Sequence, residues 1–321
     1  MMISPIFSVV TSVYNGIGYT RVFMETLRET TERLIGDGQL EIVAIDDGSD
    51  DGSLEYLRNL DLPITVLRND DNRGFAFSNN RGVSEARGEW IFFLNNDLIL
   101  EPGWWEPMIE VAETRDGCGM VGNVQRRADN QRVDHVGINF DYLGVPVHEG
   151  KNALFIREKG VRRSRGVTAA CALVRRRSFI RAGGFDEGFR NGFEDIDLCL
   201  RMAEQGFEHL VARSSLVAHH VSVSEGRKDH EDLNRLRFLK RWSKKTREFG
   251  RRDWACWYIQ SQLRSPWLFN GPKLLDAMGL ATGLRRTWPS WIRERQQAAD
   301  ERIRILPEAG EPFNSFGFGG N

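Results

Sequence analysis

The 321-residue sequence has few cysteines, no long apolar run and almost no net charge. Its four cysteines form no CxxC pair, which excludes zinc-finger spacing and favours a reducing cytoplasm; they are Cys118, Cys171, Cys199 and Cys256. No stretch approaches the roughly 18 apolar residues of a membrane span, and the polar N-terminus lacks a signal-peptide pattern. The net charge of -1 excludes a general attraction to nucleic acid. We therefore expect a cytoplasmic globular protein with no membrane span and no nucleic-acid partner.

Two well-known phosphate-binding motifs are also missing from the sequence. It contains no GxxxxGK[ST] loop, and no GxGxxG follows the first predicted strand. These absences disfavour P-loop phosphotransferases and dinucleotide-dependent enzymes.

The first hundred residues alternate β-rich and helical runs, which is typical of βαβ units and a mostly parallel sheet. The pattern predicts strands at 7–12, 40–46, 64–68 and 90–97, and helices at 19–34, 53–60 and 76–85. In such open sheets, ligands bind beyond the carboxyl ends of the strands, where the polar clusters of this region lie. The pattern therefore favours a nucleotide-binding, Rossmann-like α/β fold with helices on both faces of the sheet.

The C-terminal part of the chain has a different composition. From about residue 246 it is rich in Trp and Arg and is interrupted by Pro266, Pro272 and Pro289. We therefore divide the chain into a catalytic domain, residues 1–245, and a helical appendage with a flexible Gly-rich tail, residues 246–321. Amphipathic Trp/Arg helices can lie in a membrane interface, which would suit a lipid-linked ligand. The alternative is that the tryptophans pack a small helical cap.

A polar triplet ends the most apolar predicted strand. Asn95, Asn96 and Asp97 follow four apolar residues, so the strand delivers a carboxylate to the edge of the sheet. One carboxylate with a neighbouring amide oxygen suits Mg²⁺ or Mn²⁺ bridging a diphosphate. Taken alone, an Asn-Asp pair after a strand is more often a turn or a helix cap than a metal site.

Acidic residues crowd the predicted start of a later helix, at Glu194, Asp195 and Asp197. Acids in the first turn also complement the helix dipole, so capping is the alternative interpretation. A fixed carboxylate can accept the proton of a hydroxyl nucleophile as a bond forms. Asp195 is the candidate for that base.

Two adjacent histidines, His219 and His220, follow a short apolar run. A neutral imidazole can ligate Mn²⁺, and neighbouring residues of a strand face opposite ways. We therefore favour His219 as the one ligand, although a lone histidine is more often structural.

Residues that can surround a nucleotide occur at the predicted strand ends and turns. Acids there can accept hydrogen bonds from a base or ribose, and Gly and Asn allow close turns near phosphate. The candidates are Thr11, Val13, Tyr14, Asn15, Asp46, Asp47, Asn72, Gly74, Asn79, Asn80, Asn95 and Asn96.

Six motifs in chain order give these candidates a common context: SVYN, IDDGSDDGS, NRGFAFSNNRG, FLNND, GGFDEGFRNGFEDIDLCLR and HHVSVSEGR. Together they resemble the family 2 glycosyltransferases of the GT-A fold, especially bacterial members of rhamnosyltransferase type. The resemblance covers roughly residues 7–242. It implies that Asp46 and Asp47 contact the base and ribose, and that the triplet ending in Asp97 is the metal motif. It also implies a base within the pair Glu194 and Asp195, with His219 near the diphosphate.

The implied activity is inverting transfer of a sugar from dTDP-rhamnose or a UDP-hexose to an acceptor hydroxyl. The acceptor would be a glycan, a lipid-linked molecule or a protein in bacterial surface polysaccharide or glycoconjugate synthesis, and the cofactor Mn²⁺ or Mg²⁺. One departure is Asn95, which leaves Asp97 as the only carboxylate of the metal motif and predicts weak metal affinity.

Two alternatives stay open. A sugar-phosphate nucleotidyltransferase has a related sheet, but its Gly-rich opening followed by Arg and Lys is absent here. A catalytically inactive scaffold that binds a nucleotide sugar or glycan would have no need of Asp195, Asp97 and His219 together.

Overall fold

The computed structural model describes residues 5–150, 159–220, 230–264 and 270–305 of the chain. The chain forms two compact units. The N-terminal unit contains the residues up to Asn139 and Pro146–Phe238, and the C-terminal unit contains Phe140–Val145 and the residues from Leu239 onward. The predicted flexible tail and the segment VSVSEGR after the histidine pair lie outside the described residues, as do Pro266 and Trp267. The predicted boundary at residue 245 stays a prediction.

The predicted alternation of strands and helices in the first hundred residues is confirmed. Each element ends within two residues of its predicted limits except the fourth strand, which ends at Leu94, three residues before its predicted end. The strands are β1 (Phe7–Val13), β2 (Leu40–Asp46), β3 (Ile64–Arg68) and β4 (Trp90–Leu94). The helices are α1 (Ile17–Gly36), α2 (Ser53–Arg58) and α3 (Phe75–Glu85).

Eight further strands and six further helices occur in the rest of the described chain. The strands are β5 (Leu98–Leu100), β6 (Cys118–Arg127), β7 (Val133–His135), β8 (Ile138–Phe140), β9 (Pro146–His148), β10 (Val161–Ser164), β11 (Cys171–Arg175) and β12 (Glu208–His219). The helices are α4 (Glu106–Glu113), α5 (Arg176–Arg181), α6 (Glu194–Glu204), α7 (Glu231–Arg264), α8 (Gly271–Thr282) and α9 (Ser290–Ile305).

The main sheet has the strand order β10-β12-β6-β11-β4-β1-β2-β3, with β5 paired to β12 and β7 to β6. Strands β4, β1, β2 and β3 are parallel, as predicted, because crossover helices connect them. Strand β11 runs antiparallel to both of its neighbours, β4 and β6, so the complete sheet is mixed. No crossover helix directly precedes β11, which follows β10 and a loop, so its direction is free to be antiparallel.

Both faces of strand β4 are buried, which explains its uninterrupted apolar sequence. Phe92 packs on one face with its ring centroid 5.0 Å from that of Trp104. Phe93 packs on the other face, 4.9 Å from Phe185 and 5.1 Å from Phe179. The strand that precedes the polar triplet is therefore anchored in two layers of core.

The C-terminal unit is helical, as predicted, and its aromatic residues form a core of their own. Trp254 is buried and contacts the rings of Tyr142, Tyr258, Trp288 and Trp291. These tryptophans therefore pack a small helical structure. Among the described helices, none combines the length and apolar character needed to cross a lipid bilayer.

Candidate functional site

Polar residues collect at the sheet edge where β1, β2 and β4 end. Val13 of β1 lies opposite Asp46 of β2, and β4 lies on the other side of β1. The chain thus leaves β1 toward one side and later returns to its other side, so this edge contains a topological switch point. The fold brings the predicted strand-end candidates together here.

Asp97 and His219 meet because the short strand after Asp97 pairs with the end of β12. His219 lies opposite Leu98 in this antiparallel pairing, and the amide of His220 donates to the Asp97 carbonyl at 3.0 Å. The distance from His219 Nε2 to Asp97 Oδ1 is 3.1 Å, and both side chains are buried. His220 points elsewhere and packs its ring 5.0 Å from that of Tyr19.

The donor atoms of this pair suit a divalent cation. Asp97 Oδ1 and both ring nitrogens of His219 are buried without a well-directed hydrogen bond, which is costly for polar atoms unless a ligand completes them. Over the described residues, no group of three His, Cys, Asp or Glu side chains could hold a metal. A cation here would therefore take two ligands from the chain and the rest from a diphosphate and water, a pattern typical of Mg²⁺ and Mn²⁺ sites with phosphate substrates.

The two asparagines before Asp97 hold the turn in place. The Asn95 amide donates to the Ala170 carbonyl at 2.9 Å, and Asn96 Nδ2 donates to Thr20 Oγ1 at 2.9 Å. These bonds attach the triplet to strand β11 on one side and to helix α1 on the other.

Asp46 is fully buried at the end of β2. Burial raises the pKa of its carboxyl, while Ser49 and the Arg68 guanidinium, 3.9 Å away, oppose the rise. The position is suitable for a carboxylate that accepts hydrogen bonds from a base or ribose.

Asp47 instead bonds to the chain's own amides. Its carboxylate accepts hydrogen bonds from the backbone amides of Arg73 and Gly74, each at 2.9 Å, and from Asn69 Nδ2 at 2.6 Å. It therefore fixes the turn that contains Asn72 and Gly74 beside the end of β2.

Residues 11–15, at the end of β1, contribute their backbone and the Asn15 side chain to this sheet edge. Thr11 and Val13 are buried, and Tyr14 is exposed. Asn15 has a left-handed backbone, φ 52°, and its Oδ1 accepts the amide of Asp50 at 3.0 Å. This bond ties the turn after β2 to the end of β1.

The asparagines on α3 make internal hydrogen bonds. Asn79 Nδ2 donates to Ser12 Oγ at 3.2 Å. Asn80 accepts the Phe185 amide and donates to the Phe185 carbonyl and to Glu187, so it fixes the loop before α6. A direct contact of either residue with a nucleotide sugar stays a prediction.

A short segment, Gly166–Ala170, connects the two halves of the site, and we call it the strap. The Ala169 amide donates to Asp195 Oδ2 at 3.0 Å, and the Ala170 carbonyl accepts the Asn95 amide. Asp195 Oδ1 also accepts the Ile196 amide at 2.8 Å. The carboxylate of Asp195 is thus fixed by two amides and is separated from the metal motif by a few strap atoms.

The loop that enters α6 is strained. Asn191 and Phe193 have positive φ angles of 57° and 74°, which are uncommon outside glycine. Glu194 Oε2 accepts the Gly192 amide at 2.6 Å, and Asn191 Oδ1 accepts the Phe75 amide at 3.0 Å. These bonds maintain a backbone that directs the first turn of α6 toward the sheet edge.

The third acid of that turn has a different environment. Asp197 is fully buried and forms a 2.8 Å ion pair with Arg201, which also donates to the carbonyls of Ala182 and Gly184. Asp197 therefore stabilises the helix and its preceding loop, whereas Asp195 is only half-buried.

His135 on β7 was not expected in this region. Its Nε2 accepts the amide of Thr168 in the strap at 3.4 Å, and the side chain is fully buried. No local pattern identifies it, because His135 and the strap are 33 residues apart in sequence.

Comparison with known proteins identifies the family of the chain. The model of the family described as Glycosyl transferase family 2 matches residues 8–183, which is more than half of the chain. The chain therefore belongs to the family 2 glycosyltransferases.

Relatives by sequence come from several bacteria. The chain is 32% identical over 74% of its length to an uncharacterized protein of Sinorhizobium fredii, and 32% identical over 51% to an O-antigen biosynthesis protein of Myxococcus xanthus. It spans 27% and 13% of the lengths of those two proteins. It is also 24% identical over 70% of its length to an N-acetylglucosaminyl-diphospho-decaprenol L-rhamnosyltransferase of Mycobacterium tuberculosis, of which it covers 79%.

Two solved structures confirm the predicted GT-A fold. GalNAc-T7 with UDP, GalNAc and Mn²⁺ has a TM-score of 0.59 at 14% identity, covering 93% of this chain and 58% of that one. A mannosyltransferase of Pyrobaculum calidifontis with GDP-Man and Mn²⁺ has a TM-score of 0.52 at 15% identity, covering 94% and 87%.

Proposed function

We propose that this chain is an inverting glycosyltransferase that moves a sugar from a nucleoside-diphosphate sugar to an acceptor hydroxyl, with Asp195 as the base. The observation that carries the proposal is the strap. Through Ala169 and Ala170 it joins the Asp195 carboxylate to the amide of Asn95, two residues before Asp97. A candidate base and a candidate diphosphate site are therefore held in one hydrogen-bonded frame.

Asp195 acts on the acceptor. Each of its oxygens accepts one backbone amide, and a carboxylate oxygen retains a further lone pair. That lone pair accepts the proton of the acceptor hydroxyl as its oxygen attacks the anomeric carbon. Attack from the side opposite the departing diphosphate inverts the configuration at that carbon.

Asp97 and His219 are the proposed ligands of Mn²⁺ or Mg²⁺. The ion supplies positive charge that stabilises the leaving nucleoside diphosphate. Support comes from the unpaired donor atoms of the two residues and from the Mn²⁺ in both structural neighbours.

Asp46, the end of β1 and the turn fixed by Asp47 are the proposed contacts of the base, ribose and phosphates. The donor is proposed to be dTDP-rhamnose or a UDP-hexose, in keeping with the rhamnosyltransferase among the relatives. The acceptor is proposed to be a glycan, a lipid-linked molecule or a protein in bacterial surface polysaccharide or glycoconjugate synthesis, since one relative is an O-antigen biosynthesis protein.

The C-terminal unit is the proposed site of peripheral contact with an anionic membrane surface. Residues 239–321 contain fifteen Lys and Arg against eight Asp and Glu, although the whole chain has a net charge of -1. On helix α8, Leu275 and Met278 are one turn apart and are 70% and 48% exposed. Basic and exposed apolar side chains together favour an anionic lipid interface.

The alternative function is an inactive scaffold that binds a nucleotide sugar. The test is to incubate the protein with UDP-, GDP- and dTDP-sugars and Mn²⁺ or Mg²⁺, and to measure nucleoside diphosphate release. Wild type should consume one donor in a metal-dependent manner. Asp195→Asn should lower the rate by about 100-fold or more, because general-base catalysis is typically worth that much.

The matched control is Asp37→Asn, an exposed acid paired with Arg33 at the end of α1, where β2 has not yet begun. It should keep the wild-type rate. Asp195→Asn should retain nucleotide affinity, since an amide oxygen can still accept the Ala169 amide. Donor binding without turnover under all conditions, with a panel of glycan acceptors included, would favour the scaffold, and absence of donor binding would refute both functions.

A further inference from the structure

His135 is a buried histidine whose ring contacts the strap. Its Nε2 accepts the Thr168 amide, so that nitrogen has no proton and the neutral ring has its hydrogen on Nδ1. Burial lowers the pKa of His135 well below its usual value, and the nearby His148 and His219 lower it further while Asp134 opposes the change. The ring therefore stays neutral near pH 7 and remains a hydrogen-bond acceptor.

The strap is held at successive amides by His135 and by Asp195. The Thr168 amide donates to His135 Nε2, and the next amide, that of Ala169, donates to Asp195 Oδ2. Only the two backbone torsions of Thr168 separate these amides, because the peptide unit between them is planar. A displacement of the first amide therefore moves the second.

Other hydrogen bonds of the strap restrict the positions that its backbone can take. The Ala170 amide bonds to Thr168 Oγ1 at 3.3 Å, and the Gly166 carbonyl accepts the Ile138 amide at 3.1 Å. The Ala170 carbonyl accepts the Asn95 amide at 2.9 Å, and the Val167 carbonyl accepts the Cys199 thiol at 3.8 Å. The strap is thus attached at both ends and at Val167, and His135 and Asp195 hold the two amides between. No other acceptor for the Thr168 amide occurs among the hydrogen bonds of the described residues.

We infer that His135 is a positioning residue: it holds the strap so that the Ala169 amide fixes the Asp195 carboxylate for proton transfer. This inference rests on the proposed function of Asp195. The contact that carries the inference is the one between His135 Nε2 and the Thr168 amide, so His135 acts on Asp195 through the strap. Groups that orient a catalytic side chain in this way are commonly worth about 10- to 100-fold in activity.

The test compares three variants of the full chain. His135→Phe keeps a planar ring but removes the acceptor, whereas His135→Gln keeps an acceptor on a shorter side chain. The control is His148→Phe, which changes the ring 4.9 Å from that of His135 and makes no hydrogen bond to the strap in the described structure. Donor consumption and donor affinity are measured for each, the second by calorimetry.

We expect His135→Phe to lower kcat about 10- to 100-fold with donor affinity within about twofold of wild type. His135→Gln should recover most of that loss, and His148→Phe should stay within about twofold of wild type. An unchanged kcat in His135→Phe would overturn the inference. Equal losses in the Phe and Gln variants would also overturn it, because a restored hydrogen-bond acceptor would then recover no activity.

A second measurement does not depend on turnover. Hydrogen exchange of the strap amides should be faster in His135→Phe than in wild type, and near wild type in His135→Gln and His148→Phe. Slow exchange in His135→Phe would overturn the inference even for an active enzyme. Hydrogen exchange could respond as expected while neither wild type nor any variant transfers sugar. In that case the proposed function fails, and the positioning of the strap by His135 is upheld.

Discussion

His219 Nε2 lies 3.1 Å from Asp97 Oδ1, yet neither atom makes a well-directed hydrogen bond. The contact is created by the pairing of β5 with β12, which places His219 beside Leu98. Two buried polar atoms without hydrogen-bond partners are unfavourable. Asp97 and His219 would hold a divalent cation, whose charge would compensate that cost.

The first prediction concerns this pair. Asp97→Asn and His219→Gln should each raise the Mn²⁺ concentration for half-maximal donor consumption by at least about tenfold, since each removes one of two ligands from the chain. His220→Gln is the matched control, because His220 is adjacent in sequence but packs on Tyr19. Electron paramagnetic resonance of Mn²⁺ with the nucleoside diphosphate present gives an independent affinity. Equal effects of the two histidine substitutions would contradict the assignment.

The second prediction concerns the turn after Asp47. Gly48 has φ +83°, and a Cβ there would lie 3.0 Å from the Asp71 carbonyl carbon and 3.1 Å from the Asn72 amide nitrogen. Gly48→Ala should therefore lower the free energy of unfolding by about 3 kcal/mol, through backbone strain and a clash with rigid backbone. Nucleotide affinity should also fall, since the turn containing Asn72 moves.

Gly38 provides the comparison for that experiment. It has φ +67° but open space around a Cβ, so Gly38→Ala should cost only the strain of a left-handed backbone, about 1 kcal/mol. Urea unfolding measures both variants. Similar losses would mean that the approach of Asp71 and Asn72 to Gly48 is unimportant.

The sequence predicts the elements of the first hundred residues well because their signals are local. Apolar runs bounded by Gly, Asn and Asp define β1 to β4, and the run before Asn95 places Asp97 at a strand end. The adjacency of Asp97 and His219 also follows from the family resemblance.

The rest of the fold and of the candidate site depends on contacts between residues that are distant in sequence. Nothing near Cys171 in the sequence indicates that β11 inserts antiparallel between β4 and β6. Asp47 and Asn80 are polar residues in suitable places, but their bonds to backbone 26 to 105 residues away decide which atoms remain for a ligand. The contact of His135 with the strap is of the same kind.

The third prediction concerns stability at acid pH. His209 is buried, its Nδ1 accepts the Met120 amide at 3.1 Å, and burial lowers its pKa to about 4. An unfolded histidine has a pKa of about 6.5, so below that pH the unfolded chain binds a proton that the folded chain refuses. The contribution of the neutral His209 ring to the free energy of unfolding is therefore complete above pH 6.5. It is lost as the pH falls toward 4, by about 3 kcal/mol in total.

Urea unfolding of wild type and His209→Gln between pH 7 and pH 4 isolates this effect. The difference in unfolding free energy between the two proteins should shrink as the pH falls, because only wild type has this proton to gain on unfolding. A constant difference across the range would show that His209 binds its proton equally well in the folded and the unfolded chain, and would contradict the lowered pKa.

The fourth prediction concerns the C-terminal unit and its proposed lipid contact. The full chain should float with anionic vesicles and not with neutral ones, and the bound fraction should fall with added salt, since charge attraction is screened over about 10 Å at 0.1 M. Leu275→Glu should reduce binding about tenfold or more, because it places a carboxylate on the exposed apolar face of α8. The matched control is Leu233→Glu, the same change at a 47% exposed leucine of the N-terminal unit, which should bind like wild type. If both variants float as wild type does, lipid contacts some other surface; if wild type stays unbound, the exposed face of α8 does not serve a membrane.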